Sequence, residues 1–321
     1  GINRLANPDL RWEKTKQIDI GAELGLFQNR VMFEVDLYRK VTDDMLLSAP
    51  VPSSSGYTVV SQNVGSMENK GIEIGLNTVN FERNNLSWST TFNFSYNKNE
   101  VLELAGGSDI FLGSTIVRKG EPVGSFFGFI HEGTWDTSEE STAAQYNKRP
   151  GDIKYQDVNG DGAINDSDRV VIGKGIPDGF GTFANTFTFN NFELLVDIQY
   201  TYGNKTVLNA WTPENQDTNI AQIRPLTAGY NTNNDSDRVQ DGSFIRGRNL
   251  MLSYNFLPQT LEKISVERMR AFVSVQNFFL STNYEGYDPE VSTSGAAFDQ
   301  GVDLYAYPKP RVFMLGLSIT L

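Results

Sequence analysis

The stretch Leu86–Asn97, LSWSTTFNFSYN, restricts the possible folds of this chain more than any other. Leu86, Trp88, Thr90, Phe92, Phe94 and Tyr96 are mostly large and apolar. The residues between them, Ser87, Ser89, Thr91, Asn93, Ser95 and Asn97, are small or polar. A period of two specifies a β-strand with one apolar face and one wet face. About a dozen residues is long for a strand of a soluble sandwich, but it suits a tilted strand crossing a bilayer.

The same alternation recurs along the chain. It covers Lys16–Phe27, Arg30–Lys40, Gly71–Phe81, Phe180–Asn190, Phe192–Tyr202, Arg248–Phe256, Arg268–Asn277 and Arg311–Leu321. Asp19, Glu23, Glu34, Asp36, Glu73 and Asp197 fall on the polar face of these strands. In a dry core each would cost several kcal/mol, whereas a wet lumen removes the problem. Trp88, Tyr96, Tyr200, Tyr202 and Tyr254 stand near strand ends, as in the aromatic girdles of membrane barrels. The pattern therefore predicts an all-β fold, a portion of an antiparallel transmembrane β-barrel with Phe92, Phe94, Val196, Ile198, Leu315 and Leu317 facing outward.

Strand parity sets a topology. Short connections at Gln28-Asn29, Glu82–Asn85, Asn190-Asn191 and Pro258–Val266 alternate with long loops near 41–69, 203–247 and 278–310. Outer-membrane barrels keep short turns on the periplasmic side and long loops outside. The segment 98–179, where the pattern weakens, must hold either no membrane strand or two. It reads as an extracellular excursion, with Ser125–Trp135 aromatic on both faces and a short helix over Ser138–Asn147. The net charge of -12 argues against a nucleic-acid partner, which needs clustered Lys and Arg. The chain has no Cys, so disulfide and thiol chemistry are absent. Beginning at Gly1 without Met or a signal sequence, it reads as a piece of a longer chain.

Several phrases carry a family resemblance. They are NPDLRWEKTKQIDIG at Asn7–Gly21, NVGSMENKGIEIGLN at Asn63–Asn77, GDIKYQDVNGDGAINDSDR at Gly151–Arg169, DGSFIRGRNLMLSYNFLP at Asp241–Pro258 and YEGYDPEV at Tyr284–Val291. Together they resemble the C-terminal third of a SusC/RagA-type TonB-linked outer-membrane transporter of Bacteroidetes. The resemblance implies about 9–11 strands of a plugged barrel of the 22-strand class, with long extracellular loops. It implies a Gram-negative outer membrane with its lipid, import of oligosaccharides or peptides, a SusD-like surface lipoprotein over the outer mouth, and TonB acting through a part of the family absent here. Residues 1–321 alone are expected to be poorly soluble, because a first strand without its upstream neighbour leaves an open edge beside lipid. Where the family has Arg-Leu-Arg or Arg-Leu-Lys, this chain has Arg246-Gly247-Arg248. A passive porin or a structural barrel protein is the alternative function.

The sharpest chemical motif is Asp157–Asp168. It places Asp157, Asn159, Asp161 and Asp168 at positions 1, 3, 5 and 12 of a calcium loop, with Gly162 at the turn and the Ala163 carbonyl at position 7. A structural Ca²⁺ is expected there; a solvated Asp/Asn/Gly turn is the simpler reading. His131, without Cys or a second His, has no visible nucleophile partner, so no enzyme is expected. Arg246 and Arg248 are expected to pair loops with the barrel. The loop aromatics Tyr57, Trp211, Tyr230, Tyr284, Tyr287, Tyr305 and Tyr307 suit stacking on a substrate or contact with a lid protein, against plain loop packing.

Overall fold

The computed structural model describes residues 4–50, 53–57, 59–208, 234–262, 266–292, 298–304 and 306–320. Nine strands form one antiparallel sheet in sequence order. They are β1 (Lys14–Leu26), β2 (Val31–Asp43), β3 (Gly65–Arg83), β4 (Leu86–Leu104), β5 (Gly179–Phe189), β6 (Phe192–Tyr202), β7 (Phe244–Asn255), β8 (Arg268–Thr282) and β9 (Val312–Thr320). These are the nine alternating stretches of the sequence. The sheet is open, with β1 and β9 as its edges. Among the described residues no helix is long and apolar enough to cross a membrane.

The register lines up the two residue classes across the sheet. One row on the apolar face runs Leu24, Phe33, Leu76, Phe92, Phe183 and Ile198. Another runs Leu194, Leu252, Val273 and Leu315. The opposite face carries Glu23, Glu34, Gly75, Asn93, Thr182, Gln199 and Arg246 in one row. Phe92, Phe94, Val196, Ile198, Leu315 and Leu317 thus lie opposite the face of Asn93, Asp197 and Ser318. Because the side-chain period is two, a slip of one residue would invert every one of them. Rings brace the wall by crossing glycine. Tyr200 passes over Gly181 to stack on Phe92 at 6.3 Å and donates its hydroxyl to the Asn93 carbonyl at 3.0 Å. The Tyr202 ring likewise crosses Gly179 and stacks on Phe94 at 6.4 Å.

Several boundaries differ from the sequence reading. β3 begins at Gly65 and β4 runs to Leu104, so this hairpin extends beyond the regular alternation. Beyond Lys98 its wet face packs on cap residues such as Val117 and Val123 rather than on solvent, which erases the period. The loop expected over 41–69 shrinks, because β2 reaches Asp43 and a hairpin of Leu46–Pro50 with Val59–Asn63 fills the gap. β4 pairs directly with β5 from Leu86↔Phe189 to Tyr96↔Gly179, so residues 105–178 add no strand to the wall. Ser125–Trp135 divides into Ser125–Gly128 and His131–Thr134, which belong to two different small sheets. A 3₁₀ turn at Thr137–Glu139 leads into a helix at Glu140–Gln145.

Candidate functional site

The wall has two unlike ends. At one, β3 and β4 join through Asn84-Asn85, and β5 and β6 through Asn190-Asn191. Asn84 and Asn190 take positive φ, a state that asparagine tolerates in tight turns. The described parts of the long connections gather at the other end, and there they build a cap.

The cap rests on the wet face of the β3–β4 hairpin. Met67 lies opposite Val101 in register, and both pack with Met45, Val64, Val117 and Val123. The Asn99 side chain accepts the Val123 N–H at 2.7 Å, which ties the excursion to the wall below it. A second core joins Phe126, fully buried, to Val207 and Val302, with Ile172 and Val239 around them. Its residues come from five separate stretches of chain. Gly124 has φ +69° and sits against the Phe298 carbonyl, so both its conformation and the close approach require glycine.

Buried polar contacts fasten the remaining segments. Arg246, on the wet face of β7, donates to Asp288 at 2.6 Å, and both side chains are 4% exposed. Its ring neighbour is Phe244, with the guanidinium 5.3 Å from the centroid. Tyr284 donates to Asp303 at 2.6 Å, and burial together with that carboxylate pushes its phenol well above the usual range. Tyr155 donates to Asp235 at 3.0 Å, and burial raises the Asp235 carboxyl. His131 Nδ1 lies 3.9 Å from Asp237, and its ring meets Tyr155 edge-on. Arg248 pairs with Asp197 of the neighbouring strand at 3.3 Å. Between the two arginines, Gly247 makes room for the rings of Phe278 and Phe279, which lie where a larger side chain would stand.

The Asp157–Asp168 loop is folded by its own carboxylates. Asp157 accepts the N–H groups of Gly160 and Gly162 at 2.8 Å each, and Asp161 accepts that of Ala163 at 2.9 Å. The donated bonds, that from Gly162 first, hold the Asp157 carboxyl below the usual carboxylate range. Asn159 accepts the Asp161 N–H at 2.8 Å. Asp168 is fully buried and accepts from Val158 at 3.0 Å and Asn165 at 2.8 Å. Asp157, Asn159, Asp161 and the Ala163 carbonyl therefore share one exposed turn, while Asp168 is engaged behind it. Among the described residues no three acidic or histidine side chains gather closely enough to hold a metal by themselves. The fit to a cation thus leans on Asn159 and the carbonyl.

The structure separates the predicted loop aromatics. Tyr284 is buried in the cap, Tyr57 is half-buried, and Tyr287 and Tyr307 are exposed. Trp211, Tyr230 and Tyr305 lie outside the described residues. Sequence reasoning missed Asp288, Asp235 and Asp303 as buried anchors. Acidic residues in loops look solvated in a sequence, and nothing local marks these three apart.

The profile described as "TonB dependent receptor-like, beta-barrel" matches residues 1–277. TonB-dependent receptor P3 of Formosa agariphila is 34% identical over 99% of this chain, which spans 35% of that protein. TonB-dependent receptor SusC of Bacteroides thetaiotaomicron is 27% identical, with 98% of this chain and 32% of that protein covered. Among solved structures, the RagAB peptide transporter superposes with a TM-score of 0.78 at 25% identity, covering 98% of this chain and 36% of that one. The chain thus spans about a third of the length of the relatives it matches. Matched by the profile over most of its length and carrying the wall that such a profile describes, the chain belongs to the TonB-dependent receptor β-barrel family.

Proposed function

We propose that this chain forms part of the wall and outer cap of an outer-membrane transporter for oligosaccharides or peptides, energised through TonB and covered by a SusD-like surface lipoprotein. One observation carries the reading: nine strands keep an apolar face on one side, and the cap grows from the end of the wet side. In a bilayer the apolar face meets lipid, the wet face lines a lumen, and the long connections lie outside the cell. The cap then stands over the outer mouth, where Tyr287 and Tyr307 present exposed rings to a substrate or a lid. The likeness to RagAB, described as a peptide transporter, supports the peptide class; the likeness to SusC supports the receptor type.

The test is uptake by cells carrying the complete receptor, with and without a working TonB system. Uptake is expected to collapse without TonB. Uptake that persists equally would overturn energised import and favour a passive porin. The lipoprotein is tested by mild-detergent purification from native membranes: a stoichiometric partner is expected, and a receptor recovered alone with intact loops would count against it.

Calcium belongs to the same proposal. A Ca²⁺ on the Asp157, Asn159, Asp161 and Ala163 oxygens would offset the clustered negative charge and stiffen the cap, with Asp168 completing the loop. Exposed sites in extracellular modules bind at about 10⁻⁴–10⁻³ M. Calorimetric titration is expected to show heat in this range for wild type and none for Asp161→Ala. Equal heats, or no binding at millimolar calcium, would remove the site.

A further inference from the structure

We propose that the outer end of β1–β4 holds the phosphate-bearing headgroup of an outer-leaflet lipid on a row of cations on the lipid-facing side of the wall. The inference rests on the membrane orientation proposed above.

The row follows from register. Ile18 stands opposite Arg39, Arg39 opposite Lys70, and Lys70 opposite Lys98. Three cations therefore occupy adjacent positions on three neighbouring strands. Directly opposed like charges in a sheet repel, so the arrangement needs anions. The row just inside it is Ile20, Leu37, Ile72 and Tyr96, on the same face. Two residues along a strand advance about 7 Å. The wall thus passes from aliphatic side chains and one tyrosine to a band of positive charge within one residue pair. That is the sequence of environments from acyl chains to headgroups in a bilayer leaflet.

The protein's own carboxylates only partly neutralise the band. Glu68 serves both Arg39, at 2.5 Å, and Lys70, at 2.7 Å, and is itself nearly buried. Glu100 takes Lys98 at 2.9 Å, and Asp43 takes Lys16 at 2.9 Å. With Lys14, 3.7 Å from Asp44, five cations thus meet four carboxylates in these pairs, and the cationic side chains remain largely exposed. The cap does not cover them, because it packs on the opposite face, on Met67 and Val101. Long cationic side chains at this depth extend toward the headgroups, where each is worth about fivefold in binding to an anionic surface. Ile20 and Leu37 beneath offer exposed aliphatic surface for the acyl chains of the same molecule. Charge and apolar surface together select a lipid over a free anion.

The test uses the complete receptor in phosphatidylcholine nanodiscs doped with bis-phosphorylated lipid A, with retained lipids counted by native mass spectrometry. Wild type is expected to retain lipid A in preference to phosphatidylcholine. Arg39→Gln/Lys70→Gln/Lys98→Gln is expected to lose about a hundredfold of that preference, while Lys98→Arg keeps it. Equal retention by wild type and the triple variant, both heat-modifiable, would overturn the inference. So would equal retention of dephosphorylated lipid A, or displacement by millimolar inorganic phosphate, which would make the ligand a free anion. A wild-type receptor that fails to insert into the disc at all overturns the membrane reading instead.

Discussion

Arg246→Met is expected to destabilise the cap by about 3–5 kcal/mol, because it leaves Asp288 charged, buried and alone. In the wild type the two groups meet at 2.6 Å with almost no exposure to water. Asp288 also caps its own turn by accepting the Glu290 N–H at 2.9 Å, so the orphaned carboxylate cannot simply swing out to solvent. Glu290, 3.8 Å from Arg246 and paired with Lys309, would lose an attraction as well. The segment 283–292 should loosen while the wall stays folded, since its ladder bonds are elsewhere. Amide hydrogen exchange of the assembled receptor reads this directly, through faster exchange at Tyr284–Glu290 and unchanged exchange at Val196 and Leu250. The double change Arg246→Met/Asp288→Leu should recover most of the loss, because replacing both charges by apolar groups removes the unpaired charge. Wild-type protection in the single variant would show that the pair contributes nothing to holding the loop.

Phe183→Arg and Thr182→Arg, one residue apart on β5, are expected to differ by about 2–4 kcal/mol in the membrane-inserted protein. Phe183 lies between Phe92 and Ile198 near the middle of its strand. An arginine there would face hydrocarbon at mid-depth. Thr182 lies between Asn93 and Gln199, where an arginine finds polar neighbours and water. Equilibrium unfolding from phospholipid vesicles separates the two. A larger cost at Thr182 would invert the wall and reverse which face meets lipid.

These two experiments probe different kinds of information. The wall was legible because its evidence is local and repeated: each strand declares its two faces within a dozen residues, and strands joined by short turns pair as hairpins. The Arg246–Asp288 pair was legible only as an arginine in need of some loop partner. Its partner lies 42 residues away behind a turn, and no periodic signal connects them. The exposed Tyr287 and the buried Tyr284, three residues apart in one phrase, show the same limit. Composition treats them alike, and the packing of one loop on another separates them.

Taken by itself, the sequence determined the strands, their two faces, their order and the family they resemble, because a period of two and a lumen that tolerates carboxylates leave few other solutions. Tertiary structure alone decided that β4 meets β5 directly, and that residues 105–178 form a cap instead of more wall. The choice between no strand and two is invisible to parity, since both keep the alternation. It also decided how the calcium-type loop is folded. The spacing of Asp157, Asn159, Asp161 and Asp168 allows one centre, yet Asp168 is buried behind the turn and held there by the loop's own N–H groups, from Val158 and Asn165. The reason is physical: a strand's faces are set by its own backbone, whereas a cap core such as Phe126, Val207 and Val302 exists only once distant segments meet.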